Sequence, residues 1–475
     1  MSSATVVESA RPVRPRVILA ICCLSIFIVS LDNTIVNVAL PSIRRDLNAS
    51  VSQLQWIIDA YTIVLAGLLI TSGSIADRVG RTKIFRLGLA VFSLGSLLCS
   101  VAPSADALIG CRMLQAIGGS MLNPVAMSII RNTFEDARER AQAIGIWGAV
   151  VGLSMALGPI VGGSLVAAID WRAIFWVNVP VGVVAIVLTT RFVPESRAPR
   201  PRRVDGLGQV LVIVALGTLV YAIIEGSAAD SSSAQLVIPA IVSVVAFGAL
   251  VFHELHEDEP LIDPRFFRSV PFSGASVIAV LAFTALGGFL FLTQLYLQGD
   301  RGLTAIQSGL YTLPMAVTAF VAAPLSGWLV GRRGARPSLV TGGAALALGS
   351  VMLTGLETDT ATTSLLLAYF VFGLGFGMVN PPITNTAVSG MPGEQAGVAA
   401  AVASTSRLVG ISLGVAIVGA IAVPAAGFAA GAHAGIAHAS HPGWWLLTAC
   451  GVAVVVLGVL STTSWAQRTA RAVAQ

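Results

Sequence analysis

Apolar stretches of about 20 residues recur along the whole chain, each long enough to cross a hydrocarbon core ~30 Å thick. Backbone groups inside lipid have to be satisfied within the segment, so these stretches predict helices. The short alternating pattern of a membrane barrel is absent. By hydropathy the spans fall near 17–40, 53–74, 84–102, 106–129, 141–166, 172–190, 207–225, 235–252, 273–297, 307–330, 338–356, 363–388, 398–422 and 443–465. The pattern thus predicts an all-α integral membrane protein with fourteen spans, and an even count puts both termini on one side of the bilayer.

Composition sharpens this picture. Hydrophobic residues make up 55% of the 475 and charged residues 11%, against roughly 25% charged in a soluble protein. That apolar surface exceeds what one water-excluding core hides. Lipid has to cover the rest. Of 28 Lys and Arg, 22 fall in the amino end, every second loop and the carboxyl end; the alternate loops hold only Arg44, Arg45, Arg172 and Arg301. The bias predicts cytoplasmic termini. It also assigns the net charge of +5 to topology rather than to nucleic acid. Arg11, Arg14 and Arg16 before the first apolar run resemble a signal peptide, but no small-residue cleavage site follows, so an uncleaved first span is expected. The cysteines Cys22, Cys23, Cys99, Cys111 and Cys450 lie in apolar segments and form no ligand-like cluster.

An internal repeat is visible. Gly73-Ser-Ile-Ala-Asp77-Arg78-Val-Gly80 has a counterpart in Gly327-Trp-Leu-Val-Gly331-Arg332-Arg-Gly334, and Gly119-Ser-Met-Leu-Asn123-Pro124 in Phe376-Gly-Met-Val-Asn380-Pro381, at offsets of 254 and 257 residues. Paired halves suggest a transporter with a central midplane site. Residues 1–200 and 265–475 are the expected halves, with a basic linker from Arg197 to Arg203 and two extra spans in 201–264.

The loop Gly73-Ser-Ile-Ala-Asp77-Arg78-Val-Gly80-Arg81-Thr-Lys83 resembles the cytoplasmic signature of the major facilitator superfamily. Its glycines allow close approach, and its aspartate accepts from a helix N-terminus or an arginine, making a latch that breaks and reforms. Arg112-Met-Leu-Gln115-Ala-Ile-Gly118-Gly119 resembles the family's intramembrane arginine motif, with Ala116 where glycine is usual. Gly148-x-x-x-Gly152 followed by Gly158-Pro159-x-x-Gly162-Gly163 is similar to the motif associated with antiporters. Leu31-Asp32-Asn33-Thr34 through Pro41, Trp56-Ile-Ile-Asp59-Ala-Tyr61 and Trp171-Arg172-x-x-Phe175-x-x-Asn178-Val-Pro180 resemble the fourteen-span drug:proton antiporter family. In the second half Gly331 stands where a latch acid would be expected.

Depth is a separate argument. Asp32, Asp59 and Arg112 lie roughly 14, 12 and 9 Å below the outer boundary at 1.5 Å per residue, so two acids and an arginine could meet in one layer. A desolvated carboxylate near an arginine switches protonation as water access changes; pairing with Arg112 as plain structure competes with that role for either acid. Arg407 enters its span ~20 Å along the helix from Glu394, either as a field for anions or bonded to carbonyls at a break near Gly410. Gln115, Gln294, Tyr296, Asn380 and Asn385 are candidate cavity lining, with packing as the rival reading. Gly373-x-Gly375-x-Gly377 reads as close helix packing, and His253 with His256 does not make a metal site. Lys83, the only lysine, lacks the preceding glycine pattern of a phosphate loop, which excludes ATP binding by that route.

Together the resemblance implies a major-facilitator-type fold of two six-helix bundles plus two inserted helices. It implies a monomer in the bacterial plasma membrane, without cofactor or metal, exchanging protons for drugs, antibiotics or secreted metabolites. A nutrient importer or facilitator is the rival within transport, and a non-transporting membrane sensor the rival outside it.

Overall fold

The computed structural model describes residues 14–134, 136–197, 205–226, 232–257, 264–388, 396–425 and 435–474. Among them every regular element is helical. Of the expected linker only Arg197 falls within this set, and Glu394 lies outside it.

The first helices are α1 (Pro15–Leu47), α2 (Val51–Val79), α3 (Arg81–Ser100), α4 (Ala105–Thr133) and α5 (Ala137–Ala168), followed by the short α6 (Ala173–Trp176) and α7 (Asn178–Phe192), which share one span. Their ends are written locally. Ser50 accepts from the Gln53 backbone N–H and Gln53 returns the bond, which satisfies two otherwise orphaned donors at the start of α2. Ser104 and Asp136 cap α4 and α5 in the same way with one side chain each. Helix α1 does not stop at Pro41, where hydropathy ends the first span. A proline removes one ladder bond and leaves the flanking ones intact. The helix runs on to Asn48, whose left-handed φ of 49° lets its N–H close on the Arg44 carbonyl.

The remaining helices are α8 (Gly206–Gly226), α9 (Ser233–His256), α10 (Val270–Leu295), α11 (Ala305–Arg333), α12 (Ala335–Val351), α13 (Thr362–Val388), α14 (Ala396–Ala425), α15 (Ile436–Ala439), α16 (His441–Leu460) and α17 (Ser464–Ala474). Twelve helices among the described residues are long and apolar enough to span, or thirteen if the two arms of α5 count as one. The expected count of fourteen is not reached, for two physical reasons. Helix α5 bends by 41° between Ser154 and Leu157, one turn before Pro159, where the ring removes a ladder bond. Helix α12 has 17 residues, about 26 Å of rise, which falls short of a ~30 Å core.

Helix α3 packs on α4 and α7, α2 on α4, and α1 on α4, α5 and α7. Helices α10 to α14 and α16 pack among themselves, chiefly α10 on α14, α11 on α13 and α12 on α13 and α16. Small residues set these distances. A Cβ on Gly118 would lie 2.2 Å from the Phe92 nitrogen, and one on Gly95 2.6 Å from that of Gln115. The Gly373, Gly375 and Gly377 run likewise meets the backbones of α11 and α12, as packing glycines do. Helix α8 rests on α9, α2 and α14. The groups are joined where α2 meets α14 and α5 meets α11.

Both seams close toward the face that carries residues 48–50, 169–172 and 301–304. Gln55 donates from α2 to the Val415 and Ala416 carbonyls of α14 at 3.1 and 3.0 Å. A Cβ on Gly163 of α5 would lie 2.6 Å from the Ala305 carbonyl oxygen, and one on Gly309 of α11 2.3 Å from that of Pro159. Gln298, just past α10, donates to the Val38 carbonyl of α1 at 2.9 Å.

Candidate functional site

Asp32 and Arg112 meet between α1 and α4. The Arg112 Nη1 atom lies 2.5 Å from Asp32 Oδ2, and both residues are almost completely enclosed. The other carboxylate oxygen accepts from Gln115 Nε2 at 2.9 Å and from Asn178 Nδ2 at 3.0 Å. Gln115 Oε1 accepts from Arg112 at 2.7 Å, while Ser96 accepts from both amides and donates to the Phe175 carbonyl at 2.9 Å. Arg112 Nε reaches the Ile57 carbonyl at 3.2 Å, and the guanidinium lies 3.9 Å from the Tyr61 ring centroid. Desolvating this pair is costly, but the network supplies the compensating bonds that a buried ion pair requires. Both Asp32 oxygens are thereby engaged by donors.

The third member of the expected layer stands apart. Asp59 on α2 is 0% exposed, yet neither carboxyl oxygen has a hydrogen-bond partner among the described residues. The Ser412 hydroxyl of α14 approaches it closely enough to interact, without a bond of standard geometry and without another partner. Beside them a cleft with about the free volume of one water molecule lies between α2, α8 and α14, lined in part by Thr62, Ala66, Leu216, Val220 and Val409. Helix α8 covers it and is pinned to α2 at both ends. Gln209 bonds the Gly67 carbonyl and the Thr71 hydroxyl, and Glu225 accepts from Trp56 Nε1 at 2.8 Å and from Ser52.

At the opposite face Asp77 pairs with Arg81 one turn on, at 2.8 Å. Gly80 joins α2 to α3 at φ +132°, a conformation that favours glycine. A Cβ there would also strike the Glu195 carboxylate at 2.7 Å. That carboxylate accepts the Thr82 and Lys83 backbone N–H groups at 3.0 and 3.2 Å and so caps α3 from beyond α7. Gly73 meets Pro124 at ordinary contact distance, and Gly331 faces open space.

The glycines of α5 divide by depth. A Cβ on Gly158 or Gly162 would collide with Thr34 or Ile35 of α1, and Gly163 abuts α11. Gly152 faces the Phe320 ring at 3.3 Å, and Gly148 faces open space. Pro159 stands between Gly158 and Gly162, just after the bend. Among the proposed lining residues, Gln294 accepts from Ser308 at 2.7 Å and from Gln298 at 3.0 Å. The Tyr296 hydroxyl donates to the Glu357 carbonyl at 2.7 Å. Asn380 is half-buried and Asn385 exposed. Arg407 bonds the Thr384 hydroxyl and lies 5.8 Å from the Phe283 ring centroid, with its Nε unpartnered among the described residues. His253 pairs with Asp205 at 2.9 Å. No group of three or more potential metal ligands occurs among the described residues.

Ser96, Glu195, Gln209, Glu225 and Ser412 escape sequence reasoning, because an isolated serine or glutamine in an apolar run carries no spacing signal. Asn178 stands in a quoted motif, which marked its position without indicating its partner.

Comparison with known proteins finds relatives along most of the chain. The chain is 36% identical over 398 residues to the "Multidrug resistance protein Stp" of Mycobacterium tuberculosis (strain CDC 1551 / Oshkosh), covering 84% of this chain and 74% of that one. It is 37% identical over 408 residues to the "Tetracenomycin C resistance and export protein" of Streptomyces glaucescens, covering 86% and 76%. It is also 35% identical over 411 residues to the "Multidrug efflux pump LfrA" of Mycolicibacterium smegmatis (strain ATCC 700084 / mc(2)155), covering 86% and 81%. A crystal structure of a bacterial homologue of the human lysosomal transporter Spinster shares the fold, with a TM-score of 0.68 at 18% identity over 98% of this chain and 99% of that one. The profile of the Major Facilitator Superfamily matches residues 22–415, and the chain belongs to that superfamily.

Proposed function

We propose that this protein is a proton-coupled antiporter that exports small, largely apolar compounds across the plasma membrane, with both termini cytoplasmic and the face at residues 48–50 outside. Two six-helix bundles, residues 1–200 and 265–475, rock about the α2–α14 and α5–α11 seams, and 201–264 contributes the inserted pair. On this reading α12 is the fourteenth span, its short helix extended by the turns at 352–355, as in fourteen-span drug:proton antiporters. The relatives named for multidrug resistance and export support the substrate class. The unit works as a monomer, and the proton gradient is its energy source.

One observation carries the coupling: Asp59 is enclosed without a partner at the seam between the two groups of helices, facing Ser412 across it. Enclosing an ionised carboxylate without a partner costs several kcal/mol, whereas the neutral acid avoids most of that cost. The closed seam therefore favours the protonated form, and opening to water favours the charged one. Asp32, with both oxygens already bonded, is the positioning partner of Arg112 and not the carrier. Asp77, Arg78 and Arg81 with Gly73 and Gly80 form the cytoplasmic latch. Pro159 and Gly163 meet α11 at the outer seal, while Gly158 and Gly162 fix α5 to α1.

The test is fluorescent-dye efflux from cells expressing wild type or Asp59→Asn, with and without a protonophore. Wild-type efflux is expected to collapse with the gradient, and the variant to be present in the membrane but inactive. Gradient-independent efflux, or normal transport by Asp59→Asn, would sink the coupling scheme.

A further inference from the structure

Arg112 has a carboxylate; Arg407, the other arginine deep within a span, does not. From Pro264 to the carboxyl end the sequence contains four acids: Asp300, Glu357, Asp359 and Glu394. Asp300 ends the π-helical turn after α10, and Glu357 and Asp359 lie in the turn between α12 and α13. All three sit on the 48–50 face. Glu394 precedes Arg407 by 13 residues and lies outside the described residues. Arg407 is therefore a permanent charge with no counter-charge at its depth among the described residues of its own half. In the other half Asp32 is taken by Arg112, and Asp59 makes no ion pair with Arg407.

The surroundings combine one hydroxyl with an aromatic wall. Arg407 Nη2 holds the Thr384 hydroxyl of α13, Nε is enclosed and unpartnered among the described residues, and the Phe283 ring lies 5.8 Å away. Phe283 packs edge-on against Phe376 with centroids 5.1 Å apart. One guanidinium nitrogen is thus fixed by a hydroxyl while Nε has no partner among the described residues beside an aromatic wall. Side chains of a helix lean toward its N-terminus, which for α14 is the end away from the closed seams. The half-buried Asn380 supplies only a neutral group, and Arg407 is the charged residue set deep in the described spans of the second half.

Resting on the export reading above, the geometry points to Arg407 as an acid-recognition site: its guanidinium, held by Thr384 against the Phe283–Phe376 rings, takes the carboxylate or phosphate oxygens of an otherwise apolar compound. The unused N–H groups donate to the oxyanion, as an arginine fork suits a planar carboxylate, and the rings cover the apolar body. The substrate class narrows from apolar compounds in general to those bearing one acidic group. The same chemistry is offered by an anionic lipid headgroup, so the test separates the two sources.

Purified full-length protein is titrated with rhodamine B and with its ethyl ester, which differ in the free carboxylate, following fluorescence polarisation. Arg407→Gln is expected to weaken binding of the acid by about tenfold to a hundredfold, the range for one charge-assisted hydrogen-bond set, and to leave the ester within about twofold. Arg407→Lys should recover part of the loss, which a misfolded variant does not do, and unchanged ester binding is the control for folding. Equal losses for both dyes, no loss for either, or no binding of the acid by wild type overturns the site. Displacement of the acid by phosphatidylglycerol at lipid-like ratios, with no preference for acid over ester in phosphatidylglycerol vesicles, assigns the arginine to a lipid and overturns it as well. If the ester is still expelled in a gradient-dependent way, export stands without acid recognition. If neither dye moves while Arg407-dependent binding persists, the recognition site stands and the export reading falls.

Discussion

Substituting the two acids of α1 and α2 in turn, Asp32→Asn and Asp59→Asn, separates a structural carboxylate from a working one by stability alone. At Asp32 three donors converge on two oxygens: Arg112 Nη1, Gln115 Nε2 and Asn178 Nδ2. Asparagine keeps one acceptor, places an NH2 group among donors and leaves Arg112 enclosed without a counter-charge. Breaking a buried pair in this way costs about 3–5 kcal/mol. A soluble domain of half this length shifts by about 2–4 °C per kcal/mol, so roughly half that slope applies here, giving a fall of roughly 3–10 °C. At Asp59 no bond is lost, since neither oxygen has one. Asparagine is close to the neutral acid in shape, and the expected change is within about 1 kcal/mol, below about 2 °C on the same slope. The assay is a thermal-shift series on protein purified in detergent at one scan rate, because unfolding of such proteins is governed by rate. Asp32→Asn with Arg112→Met should recover part of the loss, as removal of both partners usually does. Equal shifts for the two single variants, or a larger one at Asp59, would refute the division of roles.

Two further outcomes follow from the packing. Glu195→Ala removes the carboxylate that caps α3, at a cost of about 1 kcal/mol for a partly exposed cap; hydrogen exchange at the Thr82 and Lys83 amides should speed up, with Glu195→Gln in between, and unchanged exchange in the alanine variant contradicts the cap. Gly163→Val drives a side chain into the Ala305 carbonyl, an overpacking cost of about 1–3 kcal/mol that the backbone cannot relieve in place. Spin labels at Ile169 and Thr304 should move apart, and an unchanged distance distribution shows that this contact does not hold the seam.

How much of this was legible in the sequence differs by level. The helices were, because a run of apolar residues has one outcome in lipid. The count was less so, because hydropathy sees composition and not the missing ladder bond that breaks α5 or the turns that shorten α12. Depth counting placed Asp32, Asp59 and Arg112 in one layer, but position along a helix says nothing of azimuth. Asp32 faces Arg112 while Asp59 faces α14, and only packing decides that. The partners of Asp32 were partly visible, as Gln115 and Asn178 stand in quoted motifs, whereas Ser96 and Ser412 differ in nothing from other serines of apolar runs. Glu195 was invisible for another reason: it caps a helix more than a hundred residues upstream, and a tertiary cap has no local signature.

The glycines of α5 show why one motif serves two purposes. Gly158 and Gly162 lie against α1, so the first group of helices is fused along that line, while Gly163, one residue further on, lies against α11 across the seam. A larger residue at Gly158 or Gly162 would loosen the contact with α1; one at Gly163 would obstruct the contact with α11 that forms and parts in the proposed rocking. The helix bends between Ser154 and Leu157, just before the packed segment in which these two surfaces diverge. On the other seam Gln55 makes the closure with hydrogen bonds to α14 carbonyls, which break without leaving a void. Asp59 lies one turn below Gln55, so the seam that Gln55 closes also keeps water from the acid. On the proposed coupling scheme closure and proton retention are one event, and opening this seam wets Asp59.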